Sequence, residues 1–333
     1  MIQFDILIPA YNAEKTISKT IESVLGQSYP LWQLIIVNDG SMDCTARMCE
    51  GFLKKDDRIR FINRRENMGV VYTRKQLMEN VSSDYFMFVD ADDILHPDAL
   101  RLFSKVISES QERLDIVYTK SIQNFSRRLH IGLSFKRDVL LNIRTRKCPG
   151  ADCLGNFLSY PYFHIALTSK AYHRRLAAVS MSDIPSLFVG EDICMNLKMF
   201  CMSKHVCEID KRIYYYRPGG GSSGYSTRLA GDIAKLYFFR DTFITKNHLP
   251  EKYRHMNLHN AIGTFYVLCS GCTVDGDACC SMLKPVFDDA EKKQIKDSNI
   301  DKIQEWLGKE SVYIPTSRDS LLIEIKKWVV NHL

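Results

Sequence analysis

The run Tyr85-Phe-Met-Phe-Val-Asp-Ala-Asp-Asp93 constrains this chain more than any other stretch. Tyr85 to Val89 is aromatic and β-branched, and it stops abruptly at Asp90, Asp92 and Asp93. A strand that apolar belongs inside a parallel sheet covered on both faces. Its C-terminal end then lies at the carboxyl edge of the sheet, where open α/β sheets bind ligands. Three carboxylates within four residues repel one another unless a cation holds them. A hard divalent cation with oxygen ligands does so, and a nucleotide diphosphate can share that cation. An Asp-rich turn and helix cap ahead of Ile94-Leu-His-Pro97 accounts for Asp93, but capping needs one aspartate and not three.

The same strand-then-polar pattern recurs upstream. Ile6-Leu-Ile8 reads as a buried strand, broken by Pro9 and followed by Ala10-Tyr11-Asn12. Ile17, Ile21, Val24 and Leu25 recur at helical spacing. Leu34-Ile-Ile-Val37 is a second strand ending in Asn38-Asp39-Gly40-Ser41, and Thr45 to Lys54 is the next helix. Ile59-Arg-Phe-Ile62 is a third strand, and Asn67-Met-Gly69 is a turn before a helix from Val70 to Asn80. Pro97 opens a further helix, and Asp115-Ile-Val-Tyr118 is a fifth strand. The alternation predicts an α/β fold with a doubly wound, mostly parallel sheet flanked by helices. Polar residues gather at three strand ends, at Tyr11 and Asn12, at Asp39, and at Asp90 and Asp92, and such ends converge on one edge. Arg64, Arg65, Arg74 and Lys75 follow the third strand and are candidates to face phosphates.

Beyond residue 124 the pattern is less regular. Arg127, Arg128, Lys136, Arg137, Arg144, Arg146 and Lys147 form a basic section, read as solvated surface, with a groove for an anionic acceptor as the alternative. Phe188-Val-Gly-Glu191-Asp192 leads into a helix striped by Ile193, Leu197 and Phe200, and acids at a helix start also serve as simple caps. Val206 to Tyr216 reads as one strand with an aromatic end, running into Arg217-Pro-Gly-Gly-Gly-Ser-Ser-Gly224. Gly219, Gly221 and Gly224 satisfy G-x-G-x-x-G, but the loop follows the alternating sheet and no strand completes a βαβ unit after residue 247. A lid over a ligand is the better functional reading and a plain connector the alternative. From Tyr225 the pattern is helical, through Leu258 to Cys269 and Ile295 to Leu307. Ser320 to Leu333 is amphipathic, with Leu322, Ile325, Val329 and Leu333 on one side. It suits a docked or dimer helix, or membrane-surface attachment. Cys269, Cys272, Cys279 and Cys280 are read as buried thiols rather than a zinc site, because adjacent cysteines make an unusual second pair.

Composition excludes some classes. No run approaches the ~20 apolar residues that span a bilayer, and no basic region precedes a longer apolar core at the N-terminus. Eleven cysteines, an odd number without an export signal, read as reduced thiols in a cytosolic protein. A formal charge of +6 fits a nucleotide or polyanionic substrate, or an anionic membrane surface.

With these pieces placed, the chain resembles the GT-A-type glycosyltransferases of family 2, bacterial enzymes that build capsule and lipopolysaccharide glycans. The residues that carry the resemblance are Ile8-Pro-Ala-Tyr-Asn12, Val37-Asn-Asp-Gly-Ser41, Asn67-Met-Gly69 with Arg74, Phe88-Val-Asp-Ala-Asp-Asp93, Gly190-Glu-Asp192, and Tyr216-Arg217 with Ser222. They stand in order over residues 4–224. The resemblance therefore implies a nucleotide-sugar glycosyltransferase domain over 1–224, with a helical region at 225–333 outside it. It implies that Pro9, Ala10, Tyr11, Asn12 and Asp39 hold the base of a nucleotide-sugar, expected to be a uridine diphosphate sugar. Asn67, Gly69 and Arg74 would continue that pocket, and Asp90 with Ala91 would contact base or ribose. Asp92, with Asp90, would ligate Mn2+ or Mg2+ on the diphosphate. Asp192 would be the general base with Glu191 as its neighbour, and Arg217 with Ser222 would belong to a lid. Where the family commonly shows Arg-Asn, this chain has Arg74-Lys75, which leaves position 75 without its usual role.

The implied reaction is a single displacement that inverts the sugar carbon. The acceptor would be a glycan or lipid-linked glycan, and no nucleic acid partner is expected. Peripheral contact with the cytoplasmic face of the inner membrane and self-association through the C-terminal helices are further expectations. Two other classes fit the sequence less well. A nucleotidyltransferase would carry a glycine-rich basic loop where this chain has Pro9-Ala-Tyr-Asn-Ala13. A non-catalytic nucleotide-sugar-binding assembly protein would have no need of Asp92 and Asp192.

Overall fold

The computed structural model describes residues 1–119, 123–124, 140–154, 166–179, 181–187, 189–217, 227–258, 260–261 and short stretches between 281 and 293. Its first strands repeat one unit. β1 (Phe4–Ala10) leads to α1 (Ile17–Leu25), β2 (Trp32–Asn38) to α2 (Thr45–Leu53), β3 (Ile59–Asn63) to α3 (Val70–Glu79), and β4 (Tyr85–Phe88) follows. Apolar runs with both faces covered make these strands: all of Ile6, Leu7 and Ile8, and all of Leu34 to Val37, are buried. Along α1, Ile17, Ile21 and Val24 face the sheet at the expected spacing, and Thr20 joins them on the buried side.

After the two-residue β5 (Ile94–Leu95) come α4 (Ala99–Ser108), β6 (Ile116–Thr119), β7 (Gln123–Asn124), β8 (Thr145–Cys148), β9 (Lys170–His173), α5 (Glu191–Cys201), β10 (Val206–Ile209), β11 (Tyr214–Tyr216) and α6 (Thr227–Lys246). Eight strands form one sheet in the order β3-β2-β1-β4-β9-β6-β10-β8, and β5, β11 and β7 form a second small sheet. The pairs β3–β2, β2–β1, β1–β4 and β6–β10 are parallel. The expected doubly wound α/β sheet is thus present, with two antiparallel strands added. β9 slots antiparallel between β4 and β6, where the Phe86 ring stacks on Tyr172 at 5.3 Å. β8 pairs antiparallel with β10 at the sheet edge. Arg144, Arg146 and Lys147 of the basic section are exposed along that edge, where cationic side chains discourage further strand pairing. Arg127, Arg128, Lys136 and Arg137 lie outside the described residues.

Two expectations are corrected here. Val206 to Tyr216 is not one strand: β10 and β11 belong to different sheets, separated by the turn Asp210–Ile213. Asp93 does not cap a helix, because α4 starts at Ala99 with Asp98 in the cap position.

The described residues divide into two compact units. The first holds both sheets and α1–α4, with residues 195–217. The second holds residues 189–194 and the helical residues from 227 onward. Within the second, Val189 donates its N–H to Asp232 at 3.1 Å and Arg240 is buried with Nη1 donating to Asn260 Oδ1 at 2.5 Å. Lys293 joins Asp241 and Asp289 at 2.6 and 2.9 Å, and Tyr237 donates its hydroxyl to Asp289. The helix expected from Ile295 to Leu307, the amphipathic end Ser320 to Leu333, Cys269, Cys272, Cys279 and Cys280 all lie outside the described residues. The seven described cysteines are free thiols.

Candidate active site

β1 lies between β2 and β4. The chain winds from β1 to one side through β2 and β3, then crosses to the other side with β4. A switch of that kind leaves a crevice outside the carboxyl ends of the strands. Ala10, Asn38 and Phe88 end the three strands, so residues 11–12, 39–41 and 89–93 line the crevice edge.

The acid turn after β4 is fixed almost entirely by distant residues. Val89 still pairs with β1, donating its N–H to Leu7 at 3.0 Å. The Asp90 N–H donates to the Tyr214 hydroxyl at 3.0 Å, and the Asp93 N–H donates to the Asp90 carbonyl at 3.1 Å. The Thr20 hydroxyl reaches the carbonyls of Ala91 and Asp93 at 3.0 and 2.8 Å. Arg217 Nε donates to the Asp92 carbonyl at 3.0 Å, and the Arg217 N–H donates to Asp93 Oδ1 at 2.8 Å. The three aspartates therefore separate in role. Asp93 is fully buried and turned inward. Asp90 is a third exposed and Asp92 is half-buried.

Burial pushes the Asp92 carboxyl above the usual carboxylate range, and the Arg217 guanidinium offsets part of that rise. Asp93 is also raised, first by burial and then by the charge of Asp90. Tyr214 is raised by burial and by the same two carboxylates. Arg74 is buried and lies 3.4 Å from Asp90 Oδ1, with its guanidinium 5.8 Å from the centre of the Phe88 ring. Among the described residues, no three His, Cys, Asp or Glu side chains are grouped so as to hold a metal ion by themselves.

On the other side of the crevice Asp39 organises a turn. Its Oδ1 accepts from the Met68 N–H at 3.0 Å and its Oδ2 from the Gly69 N–H at 2.9 Å. Arg64 Nη1 pairs with Oδ1 at 3.0 Å, and its guanidinium lies 4.5 Å from the centre of the Tyr72 ring. Both oxygens of Asp39 are thus engaged with protein donors. Gly40 and Gly69 have φ of +68° and +90°, the left-handed region that glycine tolerates best. A Cβ on Gly40 would meet the Glu66 carbonyl carbon at 2.5 Å. Asn67 is exposed, and its Oδ1 accepts from the Gly69 N–H at 3.1 Å.

Tyr11 is exposed, Pro9 is half-buried, and Ala10 is buried with its carbonyl accepting from the Asp39 N–H. Asn12, at φ +46°, donates its N–H to Ser41 Oγ and accepts from the Met42 N–H at 2.9 Å each. The basic group after β3 does not act together. Arg64 is paired to Asp39, Arg65 is exposed, and Lys75 lies 3.8 Å from Glu79 on the surface of α3.

Glu191 and Asp192 open α5 in the second unit. Gly190 precedes them at φ +107°, where a Cβ would lie 2.6 Å from Leu236 Cδ1. Glu191 is buried and Asp192 is half-buried, so the two adjacent acids face different surroundings. Ser222, Gly219, Gly221 and Gly224 lie outside the described residues. Sequence reasoning assigned no role to Thr20 or Tyr214. A threonine on the buried stripe of an otherwise apolar helix was the available signal for the first. Tyr214 sits in an aromatic run, Tyr214-Tyr-Tyr216, that singles out no member.

Comparison with known proteins agrees with this geometry. The profile described as Glycosyl transferase family 2 matches residues 5–173, half of the chain. Glycosyltransferase GlyA of Streptococcus pneumoniae is 30% identical over 220 residues, 65% of this chain and 31% of GlyA. The chain thus spans about a third of that relative's length. Among solved structures, S. aureus TarS 1–349 in complex with UDP superposes with a TM-score of 0.57 at 18% identity, covering 79% of this chain and 72% of TarS. The mannosyltransferase PcManGT of Pyrobaculum calidifontis, in complex with GDP-Man and Mn2+, gives 0.56 at 14% identity over 99% of this chain and 87% of its own. These two structures share the GT-A fold with this chain. With the acid turn on the carboxyl edge, the winding of the sheet and the profile match all in agreement, the chain belongs to the family-2 glycosyltransferases.

Proposed function

We propose that the protein transfers a sugar from a nucleoside diphosphate donor, a uridine diphosphate sugar, to a hydroxyl of a glycan or lipid-linked glycan. One observation carries this reading: the acid turn sits at the switch point of the sheet, with Asp90 and Asp92 toward the surface and Asp93 locked inside. The chain's own residues fit a divalent cation. Asp92 and Asp90 offer hard oxygen ligands, and burial makes a bare Asp92 carboxylate unfavourable, which a nearby dication relieves. Mn2+ or Mg2+ there, its ligand set completed by the donor's phosphates, would stabilise the negative charge of the departing diphosphate.

Tyr11 and Asn12 line the base side of the crevice, with the Asp39-supported turn at Asn67–Gly69 opposite. Arg74 braces Asp90 from beneath. Arg217, with Ser222, belongs to a lid on the diphosphate. Asp192 takes the proton from the acceptor hydroxyl as that oxygen attacks the sugar carbon from the face opposite the diphosphate, which inverts the anomeric centre. Glu191, buried beside it, orients the helix start. The domain boundary near residue 224, a cytoplasmic location with peripheral membrane contact, and self-association belong to the same reading. Among the described residues no helix is long and apolar enough to cross a membrane.

The test is calorimetric titration of UDP with and without Mn2+. Wild type should bind more tightly with metal, and Asp92→Asn should lose that gain while its melting temperature holds. Equal metal dependence in the two proteins would remove Asp92 as the ligand. Absence of nucleotide binding by wild type would remove the donor reading altogether.

A further inference from the structure

The acid turn has no ladder of its own, yet its backbone hydrogen bonds can be followed group by group. Three of its four carbonyls and the Asp90 N–H are held from outside the turn, by Thr20, Tyr214 and Arg217. Thr20 belongs to α1, within the sheet's own core. Tyr214 and Arg217 belong to β11 and the residue just after it, in the smaller sheet. β11 is held in turn by antiparallel pairing of Tyr214 and Tyr215 with Leu95 and Ile94, immediately after the turn. The His96 N–H adds a bond to the Ile213 carbonyl at 2.8 Å.

Asp93 closes the loop. It is fully buried, so it touches no substrate, and its carboxylate Oδ1 accepts from the Arg217 N–H at 2.8 Å. The Tyr214 hydroxyl accepts from the Asp90 N–H at 3.0 Å. The phenol thus holds the residue two before Asp92, and the carboxylate of the residue after it holds the backbone of Arg217. A buried carboxylate is costly unless it is paired or hydrogen-bonded, and the Arg217 N–H supplies such a bond to Asp93.

We infer that Asp93 and Tyr214 are positioning residues, which hold the Asp90–Asp92 turn and Arg217 as one preset receiver for the metal-bound diphosphate. This rests on the donor reading above. It goes beyond that reading in assigning the diphosphate geometry to two side chains that the ligand never meets. Displacements of about 1 Å in such a receiver cost up to ~100-fold, whereas the base side of the pocket, built on Asp39 and Tyr11, meets the turn only through Asp90 and Ala91.

The variants are Tyr214→Phe, which keeps the ring and removes the hydroxyl, and the pair Asp93→Ala and Asp93→Asn. Binding of uridine without metal and of UDP with Mn2+ is measured for each, alongside thermal melting. Tyr214→Phe and Asp93→Ala should lose far less uridine affinity than UDP affinity, and on the order of tenfold or more of the Mn2+-dependent gain for UDP. Asp93→Asn keeps an acceptor for the Arg217 N–H and should recover part of it. Equal loss of uridine and UDP affinity would show a merely structural role and overturn the inference. So would an intact Mn2+ gain in Asp93→Ala and Tyr214→Phe. If Tyr214→Phe failed to fold, equal behaviour of Asp93→Asn and Asp93→Ala would overturn it. A wild type with no Mn2+ gain would instead overturn the donor reading, and this inference with it.

Discussion

At the scale of single residues, neighbours of like chemistry do unlike things. Asp90, Asp92 and Asp93 read as one acidic cluster in the sequence, but the Thr20 and Tyr214 hydroxyls twist the turn so that two point outward and one inward. The cluster was legible; the division within it was not, because its cause lies 70 and more residues away in sequence. Thr20→Val is nearly isosteric and leaves the Ala91 and Asp93 carbonyls without their donor. It should cost about 1–3 kcal/mol in urea unfolding, and α1 should keep its helicity by circular dichroism. Gly40 works through shape. Its positive φ and the 2.5 Å approach of the Glu66 backbone leave no room for a Cβ. Gly40→Ala should destabilise the protein by roughly 1–3 kcal/mol. It should also weaken uridine binding, because the Asp39-held turn at Met68–Gly69 would have to shift.

At the scale of elements, what could be read depended on where the pairing partners lie. The first four strands and three helices follow from local periodicity, since each parallel strand is a short apolar run closed by its own helix. β8 and β9 escaped because neither has a pattern of its own. Thr145-Arg-Lys-Cys148 is exposed and charged, like any loop, and Lys170-Ala-Tyr-His173 becomes a strand only between β4 and β6. Asp115, at the start of β6, ties several of these elements together. It accepts from Arg175 Nε and from the N–H groups of Lys204 and His205 at 2.7, 2.7 and 3.3 Å. Burial pushes its carboxyl up, but these donors outweigh burial and hold it below the usual carboxylate range. A depressed folded value means stability that is present above the unfolded value, near 4, and is lost as pH falls through the folded value. Wild type should therefore lose stability to urea between about pH 5 and pH 3 more steeply than Asp115→Asn, which has no charge there to lose.

At the scale of the whole molecule, the roles proposed for Asp92 and Asp192 fall in different units. The pattern Gly190-Glu-Asp192 was visible in sequence, and so was the helix it opens. The membership of residues 189–194 in the second unit was not, because the Val189 N–H and Gly190 meet Asp232 and Leu236 some 40 residues later. Asp192→Asn should bind UDP with Mn2+ like wild type and transfer sugar about 10²–10⁴-fold more slowly. Glu191→Gln, altering a buried neighbour, should be milder or should lower the melting temperature. Transfer at near wild-type rate by Asp192→Asn would remove it as the base.

The hydrogen bond from Asp90 to Tyr214 joins residues 124 apart. A ribosome adding roughly 5–20 residues each second makes that gap about 6–25 seconds long. The sheet's first four strands and Thr20 exist before it opens, and Tyr214 and Arg217, the partners of the acid turn from the small sheet's side, arrive only when it closes. A chain stopped at residue 173, where the family profile ends, would therefore carry Asp92 on a turn held by Thr20 but not yet by Tyr214 or Arg217. The enzyme's binding edge is born well after the sheet that bears it.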